Sequence, residues 1–187
     1  MKTLLFINGC VRGENSRTLQ MAKAYLETRE NQGEINIVER NLNNSNLSFL
    51  SETSFDSTTG QQKSACSKLA EEFASADEIL LAAPYWEFLF PAVVSCYFEA
   101  VSLVGKTFKY TQTGSVGLCK AESFKYIYSA GDFLCEDDKL SEKYLEKLSK
   151  LYGITNFSAI LADGLDIDGN DAVKIVKDKC DQIRNNL

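Results

Sequence analysis

The chain of 187 residues contains no histidine, and this absence removes more functional classes than any other feature of its composition. Without an imidazole there is no Ser-His or Cys-His nucleophilic pair, and the usual transition-metal ligand is missing. The six cysteines form no C-x-x-C pair, so the sequence predicts neither a zinc site nor a dithiol redox centre. If the protein is an enzyme, we expect a bound cofactor to supply the difficult chemistry, with no metal and no catalytic side chain.

Long apolar runs and basic runs are also absent. No stretch approaches the roughly 20 apolar residues that a membrane helix requires, and the apolar start of the chain is too short for a signal peptide. The net charge of −6, without clustered Lys and Arg, predicts no nucleic-acid partner. We therefore expect a cytoplasmic protein without membrane contact. Its length and 44% hydrophobic content fit one domain over residues 1–187.

Hydrophobic periodicity predicts five alternating strand and helix units, typical of an α/β fold with a doubly wound, five-stranded parallel sheet. Two segments depart from this alternation. The polar stretch 41–60 predicts a surface loop long enough to be a lid or rim, and residues 105–118 predict a small hairpin insertion. The predicted strands are 3–7, 35–38, 78–83, 123–129 and 154–162. The first predicted helix begins at Ser16, and the other four span 61–76, 92–104, 139–151 and 171–183.

Aromatic residues crowd the loop after the third predicted strand. The only two prolines, Pro84 and Pro91, bracket this loop and restrict φ at both of its ends. In open α/β sheets, ligands bind beyond the carboxyl ends of the strands, so a stiff aromatic loop at this place predicts a site for a planar cofactor. The alternative is that these aromatic rings fill the core under a long connection. The residues of interest are Pro84, Tyr85, Trp86, Glu87 and Phe88.

The loop after the first strand runs from small residues into a predicted helix start, a place that favours phosphate binding. Arg12, Ser16 and Thr18 can supply further donors, although the same residues would also suit ordinary helix capping beside a surface arginine. The glycines do not form G-x-G-x-x-G, and no G-K-[ST] follows, which argues against a dinucleotide-binding Rossmann domain and a P-loop.

A third candidate loop, residues 129–132, ends the fourth strand with small residues. Such a backbone can approach a flat ring closely, although a plain turn after a strand would look the same. In flavodoxin-like strand order the first, third and fourth strands are neighbours at the switch point of the sheet. The sequence therefore predicts one site that is built from three loops.

With these residues identified, the chain resembles the flavodoxin-like family of FMN-dependent NAD(P)H oxidoreductases, of the NADH azoreductase and quinone reductase type. The likeness runs nearly end to end. Its most specific part is the hairpin Thr-Phe-Lys-Tyr-Thr-Gln-Thr-Gly-Ser-Val-Gly-Leu at 107–118, which matches the family's Thr-Phe-Arg-Tyr-Thr-x-x-Gly-x-x-Gly-Leu. Residues 84–88 match the family's Pro-Met-Tyr-Asn-Phe flavin loop, 129–132 its Ser-Arg-Gly-Gly turn, and 153–155 its Gly-Ile-Thr stretch.

The resemblance implies hydride transfer from NADH or NADPH through bound FMN to a quinone, azo compound or similar small acceptor. It implies that Ser16 and Thr18 hold the FMN phosphate, with Cys10 where the family often has serine. It also implies a homodimer, with Tyr110 near the flavin ring from the partner subunit. The residues expected to clasp the isoalloxazine ring are Pro84, Tyr85, Trp86, Glu87, Phe88, Ser129, Ala130, Gly131 and Asp132.

Some positions depart from the family pattern in ways that bear on flavin binding. Glu87 replaces an asparagine, and a carboxylate only accepts hydrogen bonds unless it is protonated. Burial beside the flavin would favour the neutral form of such a carboxyl group. Ala130 and Asp132 replace the arginine and the second glycine of the family's Ser-Arg-Gly-Gly turn, so this turn contains fewer glycines. These departures leave open a flavodoxin-like FMN carrier, or a dimeric binding protein without cofactor.

Overall fold

A computed structural model describes residues 1–45, 47, 49–51, 54 and 64–186, with backbone only at 64 and 65. Half of the residues 41–60, over which a lid or rim was predicted, lie outside the described residues, as do residues 61–63 of the predicted second helix. The described part contains seven strands and five α-helices. The strands are β1 (Lys2–Asn8), β2 (Ile35–Asn41), β3 (Glu78–Ala82), β4 (Phe108–Thr111), β5 (Gly114–Gly117), β6 (Ser123–Ser129) and β7 (Phe157–Ala162). The helices are α1 (Arg17–Asn31), α2 (Ser64–Ser75), α3 (Ala92–Val101), α4 (Leu140–Tyr152) and α5 (Ala172–Asn186).

Five strands form one parallel sheet in the order β2-β1-β3-β6-β7, and the predicted fold class is confirmed. The chain moves from β1 outward to β2 and then crosses back to β3 on the other side of β1. Such a reversal leaves a crevice beyond the carboxyl ends of the strands, where ligands of open α/β sheets bind. The loops after β1, β3 and β6 all open at this edge of the sheet.

Two apolar layers cover the sheet, because its central strands bury both of their faces. On one face α1 and α5 pack through residues such as Met21 and Val176. On the other face α2, α3 and α4 pack through an aromatic cluster around Phe73, whose ring centroid lies 5.0 Å from that of Tyr152. Close packing on both faces holds the loops at the carboxyl edge in fixed relative positions.

The predicted hairpin insertion is β4 paired antiparallel with β5. It docks on the C-terminus of α4, because Gly117 approaches the backbone there so closely that a Cβ atom would lie 2.0 Å from the Gly153 nitrogen. Gly153 itself ends α4 with φ of 87°, in the left-handed region that favours glycine. The close contact between Gly117 and Gly153 therefore attaches the hairpin to the rest of the fold.

Four predicted boundaries are wrong by three residues. Helix α5 continues to Asn186 and does not end at 183. The last strand begins at Phe157 and not at 154, because the Ile154 N–H donates to Ser149 O at the end of α4. Helix α3 ends at Val101 and not at 104, since the Thr107 hydroxyl donates to Val101 O at 2.8 Å. Strand β2 continues to Asn41 and is followed by a 3₁₀ turn over Leu42–Asn44, where the sequence predicted loop. In the described part of the chain, every helix is too short or too polar to cross a membrane.

Candidate functional site

A cleft lies at the carboxyl edge of the sheet, between the loops that follow β1, β3 and β6. It encloses about 510 Å³, a volume that includes space open to solvent. The start of α1 forms one end of the cleft and the aromatic loop forms the other. Its lining residues are Arg12, Ser16, Arg17, Pro84, Tyr85, Trp86, Ser129, Ala130, Gly131, Leu165 and Asp166.

Ser16 shapes the end of the cleft at α1. As the N-cap of that helix, its Oγ accepts a hydrogen bond from the Leu19 N–H at 3.2 Å, and it remains 4% exposed. The hydroxyl hydrogen of Ser16 can still donate to a ligand. The N–H groups of Arg17 and Thr18, in the first turn, have no intrahelical acceptor. This end of the cleft therefore presents several donors and the positive end of the helix dipole, which suits a phosphate group.

Cys10 and Thr18 lie behind the cleft and do not line it. The Thr18 hydroxyl is fully buried with its Oγ1 atom 2.6 Å from Ser129 Oγ, so it joins the start of α1 to the turn after β6. The Cys10 thiol faces Ala82 O at 3.5 Å, and burial raises its pKa to about 11. Because the thiol stays protonated at neutral pH, it has little nucleophilic character.

The aromatic loop turns sharply between Trp86 and Leu89. The Leu89 N–H donates to Trp86 O at 2.9 Å, and the two residues between them have positive φ, 51° at Glu87 and 68° at Phe88. This is the pattern of a type I′ turn, which favours Asn and Gly at its two central positions. Glu87, at the tip of this turn, is exposed in the single chain.

Hydrogen bonds fasten the aromatic loop to the turn after β6. The Tyr85 N–H donates to Ser129 O at 2.8 Å, and the Tyr85 hydroxyl donates to Asp138 O. The ring of Tyr85 lies 6.3 Å from that of Tyr128, which is fully buried in the sheet. Two of the three loops are thus joined directly, and the hydrogen bond between them sets their spacing.

Gly131 lies in the turn after β6 without room for a side chain. A Cβ atom there would lie 2.7 Å from Asp166 Oδ2. Asp166 belongs to the loop after β7, whose backbone follows the turn through bonds from Asp166 N to Gly131 O (2.9 Å) and from Leu165 N to Ala130 O (3.2 Å). The loop after β7 is therefore a fourth wall of the cleft.

Eight of the residues predicted for the site line the cleft: Arg12, Ser16, Pro84, Tyr85, Trp86, Ser129, Ala130 and Gly131. Six others do not line it in a single chain: Cys10, Thr18, Glu87, Phe88, Asp132 and Tyr110. Tyr110, 71% exposed on the hairpin, and Phe88, 62% exposed, leave aromatic surface open to solvent or to another chain.

Three lining residues were missed from sequence, namely Arg17, Leu165 and Asp166. Arg17 lies between two residues that were predicted, and its position at the first turn of α1 was the available signal. The loop after β7 also opens at the carboxyl edge, so the rule used for the other three loops could have included it.

The donors and shape of this cleft fit FMN. One end offers first-turn N–H groups, the Ser16 hydroxyl and the two guanidinium groups of Arg12 and Arg17, which suit a phosphate dianion. The other end offers aromatic rings and the glycine backbone of residue 131, which suit a flat ring.

Comparisons with known proteins agree with this arrangement. A family model described as "Flavodoxin-like fold" matches residues 2–187. The chain is 30% identical over 194 residues to FMN-dependent NADH:quinone oxidoreductase 2 of Clostridium acetobutylicum, covering 98% of this chain and 97% of the relative. It is 32% identical over 175 residues to an FMN-dependent NADH:quinone oxidoreductase of Coprothermobacter proteolyticus, covering 88% and 87%.

A solved FMN-dependent NADH-azoreductase from Bacillus anthracis, in complex with FMN, superposes with a TM-score of 0.86. It is 20% identical and covers 100% of this chain and 97% of its own, so this likeness supports the fold. The family match spans residues 2–187, and the alignment with the Clostridium acetobutylicum relative covers 98% of the chain. The protein therefore belongs to the flavodoxin-like family that includes the FMN-dependent NADH:quinone oxidoreductases.

Proposed function

We propose that this protein transfers hydride from NADH or NADPH through bound FMN to a quinone, azo compound or similar small acceptor. The observation that carries the proposal is the convergence of three loops on one cleft, with phosphate donors at one end and aromatic rings at the other. The names of the relatives, FMN-dependent NADH:quinone oxidoreductases, support the same reaction. FMN supplies a ring that accepts and donates hydride, chemistry that no side chain offers here.

At the phosphate end, we assign Ser16, Thr18 and Arg12 to the cofactor. Ser16 donates its hydroxyl hydrogen, and Thr18 contributes its first-turn N–H while its hydroxyl holds Ser129 in place. Among the described residues, Arg12 has no carboxylate within 4 Å, so its guanidinium is available to the dianion. Cys10 supports the loop from below, where its N–H donates to Asn8 Oδ1 at 3.1 Å.

At the ring end, the loop 84–88 and the turn 129–132 clasp the isoalloxazine. The bond from Tyr85 N to Ser129 O keeps both loops at a fixed spacing, so the slot is preorganised for a planar ligand. The backbone of Gly131 allows close approach to the ring, and Trp86 shields one side of it from water.

We propose that the active form is a homodimer in which Tyr110 of one protomer lies over the cleft of its partner. The exposed aromatic surface of Tyr110 and Phe88 supports an apolar contact between copies. Tyr110 would then border the space that the nicotinamide and the acceptor occupy in turn. Molar mass in solution, measured by light scattering, tests the dimer, and a monomer that turns over normally would refute it.

The proposal includes a single domain over residues 1–187, supported by the family match over 2–187. A cytoplasmic location stays a prediction from the sequence.

Titration of the cofactor-free protein with FMN, followed by flavin fluorescence, is the first test, and NADH or NADPH oxidation with a quinone is the second. Binding with turnover is expected. Binding with negligible turnover would favour the FMN carrier, and no binding would favour the protein without cofactor. Arg12→Gln should weaken FMN binding, whereas Arg184→Gln, which removes an arginine on α5 far from the lining residues, should leave it unchanged.

A further inference from the structure

An ion pair crosses one side of the cleft. Arg17, the first residue of α1, places its Nη1 atom 2.6 Å from Oδ1 of Asp166 in the loop after β7. Both residues line the cleft, and their side chains are 34% and 68% exposed. Arg17 is thus a cation at the phosphate end whose charge is already engaged by a carboxylate of the same chain.

The loop that carries this carboxylate is held beside the cleft by its own backbone hydrogen bonds, independently of the arginine. Asp166 N donates to Gly131 O at 2.9 Å, and Leu165 N donates to Ala130 O at 3.2 Å, so the loop is docked on the turn after β6. The carboxylate occupies the space above Gly131 that a side chain would need. Asp166 therefore stays beside the cleft when Arg17 leaves it.

A phosphate group at the start of α1 would compete for the same guanidinium. The first-turn N–H groups that suit phosphate belong to Arg17 and Thr18, so the Arg17 side chain starts from the site itself. A planar guanidinium can bind a phosphate through two parallel N–H···O bonds. Its present partner is a single carboxylate that is two-thirds exposed, and such pairs contribute little free energy in water.

We propose that Arg17 exchanges Asp166 for the phosphate of the bound flavin nucleotide, so that Asp166 acts as a built-in competitor of that phosphate. The inference rests on the proposed function, because it concerns the same cofactor. It makes Arg17 a specificity-determining residue, which selects the phosphorylated flavin against riboflavin. It also makes Asp166 a residue that lowers the affinity for FMN. Arg12 has no such competitor, so its contribution does not depend on Asp166.

The test is the dissociation constant for FMN and for riboflavin, measured by fluorescence titration of wild type, Arg17→Gln, Asp166→Asn and the double variant. Arg17→Gln should raise the dissociation constant for FMN about tenfold or more, which corresponds to about 1.4 kcal/mol. The dissociation constant for riboflavin should change by less than about twofold. Asp166→Asn should tighten FMN about two- to fivefold, as expected for release of an exposed ion pair. In the Arg17→Gln background that gain should disappear.

Arg184→Gln and Glu27→Gln are matched controls. Arg184 on α5 and Glu27 on α1 form another exposed ion pair, with Nη2 and Oε2 3.4 Å apart, and neither residue lines the cleft. Neither should change either dissociation constant, and the melting temperatures of all variants verify folding. Equal weakening of FMN and riboflavin by Arg17→Gln would overturn the inference. Weaker FMN binding by Asp166→Asn would also overturn it, because the ion pair would then only hold the two segments together. An equal gain from Asp166→Asn in wild type and in Arg17→Gln would overturn it as well, because it would indicate simple charge repulsion between Asp166 and the phosphate. If wild type binds neither flavin, the proposed function itself fails.

Discussion

Replacing Glu87 by glycine should stabilise the protein. Glu87 holds φ of 51° in the turn of the aromatic loop, and an L-residue in this left-handed region is disfavoured by about 1 to 2 kcal/mol relative to glycine. Part of this gain is lost, because glycine gives the unfolded chain more conformational freedom, which lowers the free energy of unfolding by about 0.4 to 1 kcal/mol. Since Glu87 is exposed, little packing is lost. We expect a net gain of about 0.5 to 1 kcal/mol in the free energy of unfolding.

Urea unfolding of the cofactor-free protein, with circular dichroism as the readout, measures this change. For a chain of this length the melting temperature should rise by about 1 to 4 °C. Lys147→Gly, at an exposed position inside α4, is the matched control and should cost about 1 kcal/mol, because its backbone is helical. If both variants lose stability to the same extent, the turn is not strained and the reasoning is wrong.

Three further predictions concern the supports of the cleft. Ser16→Ala removes the hydroxyl that caps α1 and should lower the free energy of unfolding by about 1 kcal/mol, measured by urea unfolding. Gly117→Ala forces a Cβ atom onto the backbone of Gly153 and should destabilise by about 1 to 3 kcal/mol, with faster proteolysis of the hairpin. Burial raises the pKa of Cys10 to about 11 from 9.0, so its share of the stability is complete below pH 9 and declines as the pH rises towards 11. The unfolding free energy of wild type should therefore fall more steeply between about pH 9 and 11 than that of Cys10→Ala.

Each of these expectations has a contrary result. Ser16→Thr retains a capping hydroxyl, and a loss as large as that of Ser16→Ala would argue against the cap. Ser115→Ala, in the exposed strand of the same hairpin, should be neutral, so equal damage there would mean that the hairpin tolerates no change at all. Parallel pH profiles of wild type and Cys10→Ala would show that the thiol does not titrate differently in the folded state.

Much of the architecture was predictable because it follows from local patterns. Continuous apolar runs identified the buried strands of a parallel sheet, and the alternation with helical segments identified the doubly wound order. Most boundary errors arose where a hydrogen bond or a strand pairing with a group outside the element decides where the element ends. Thr107, from the hairpin, bonds the end of α3, and Asn41 joins the sheet by pairing with Asn8 in β1.

The site was predictable in part for a similar reason. The rule that ligands bind beyond the carboxyl ends of strands identified three loops, and eight residues from them line one cleft. Thr18 has the right residue type at the right place in the sequence, yet its hydroxyl bonds Ser129 across the sheet edge. A one-dimensional pattern does not reveal which of two neighbouring hydroxyl groups faces the cleft.

The sequence by itself determined the order of strands and helices, the absence of imidazole chemistry and the family, because these depend on residue type and on spacing along the chain. Only the tertiary structure decided which side chains share the cleft. Arg17 and Asp166 are 149 residues apart, and neither is distinctive in its own segment. They meet because parallel strands bring the start of α1 and the loop after β7 to the same edge of the sheet.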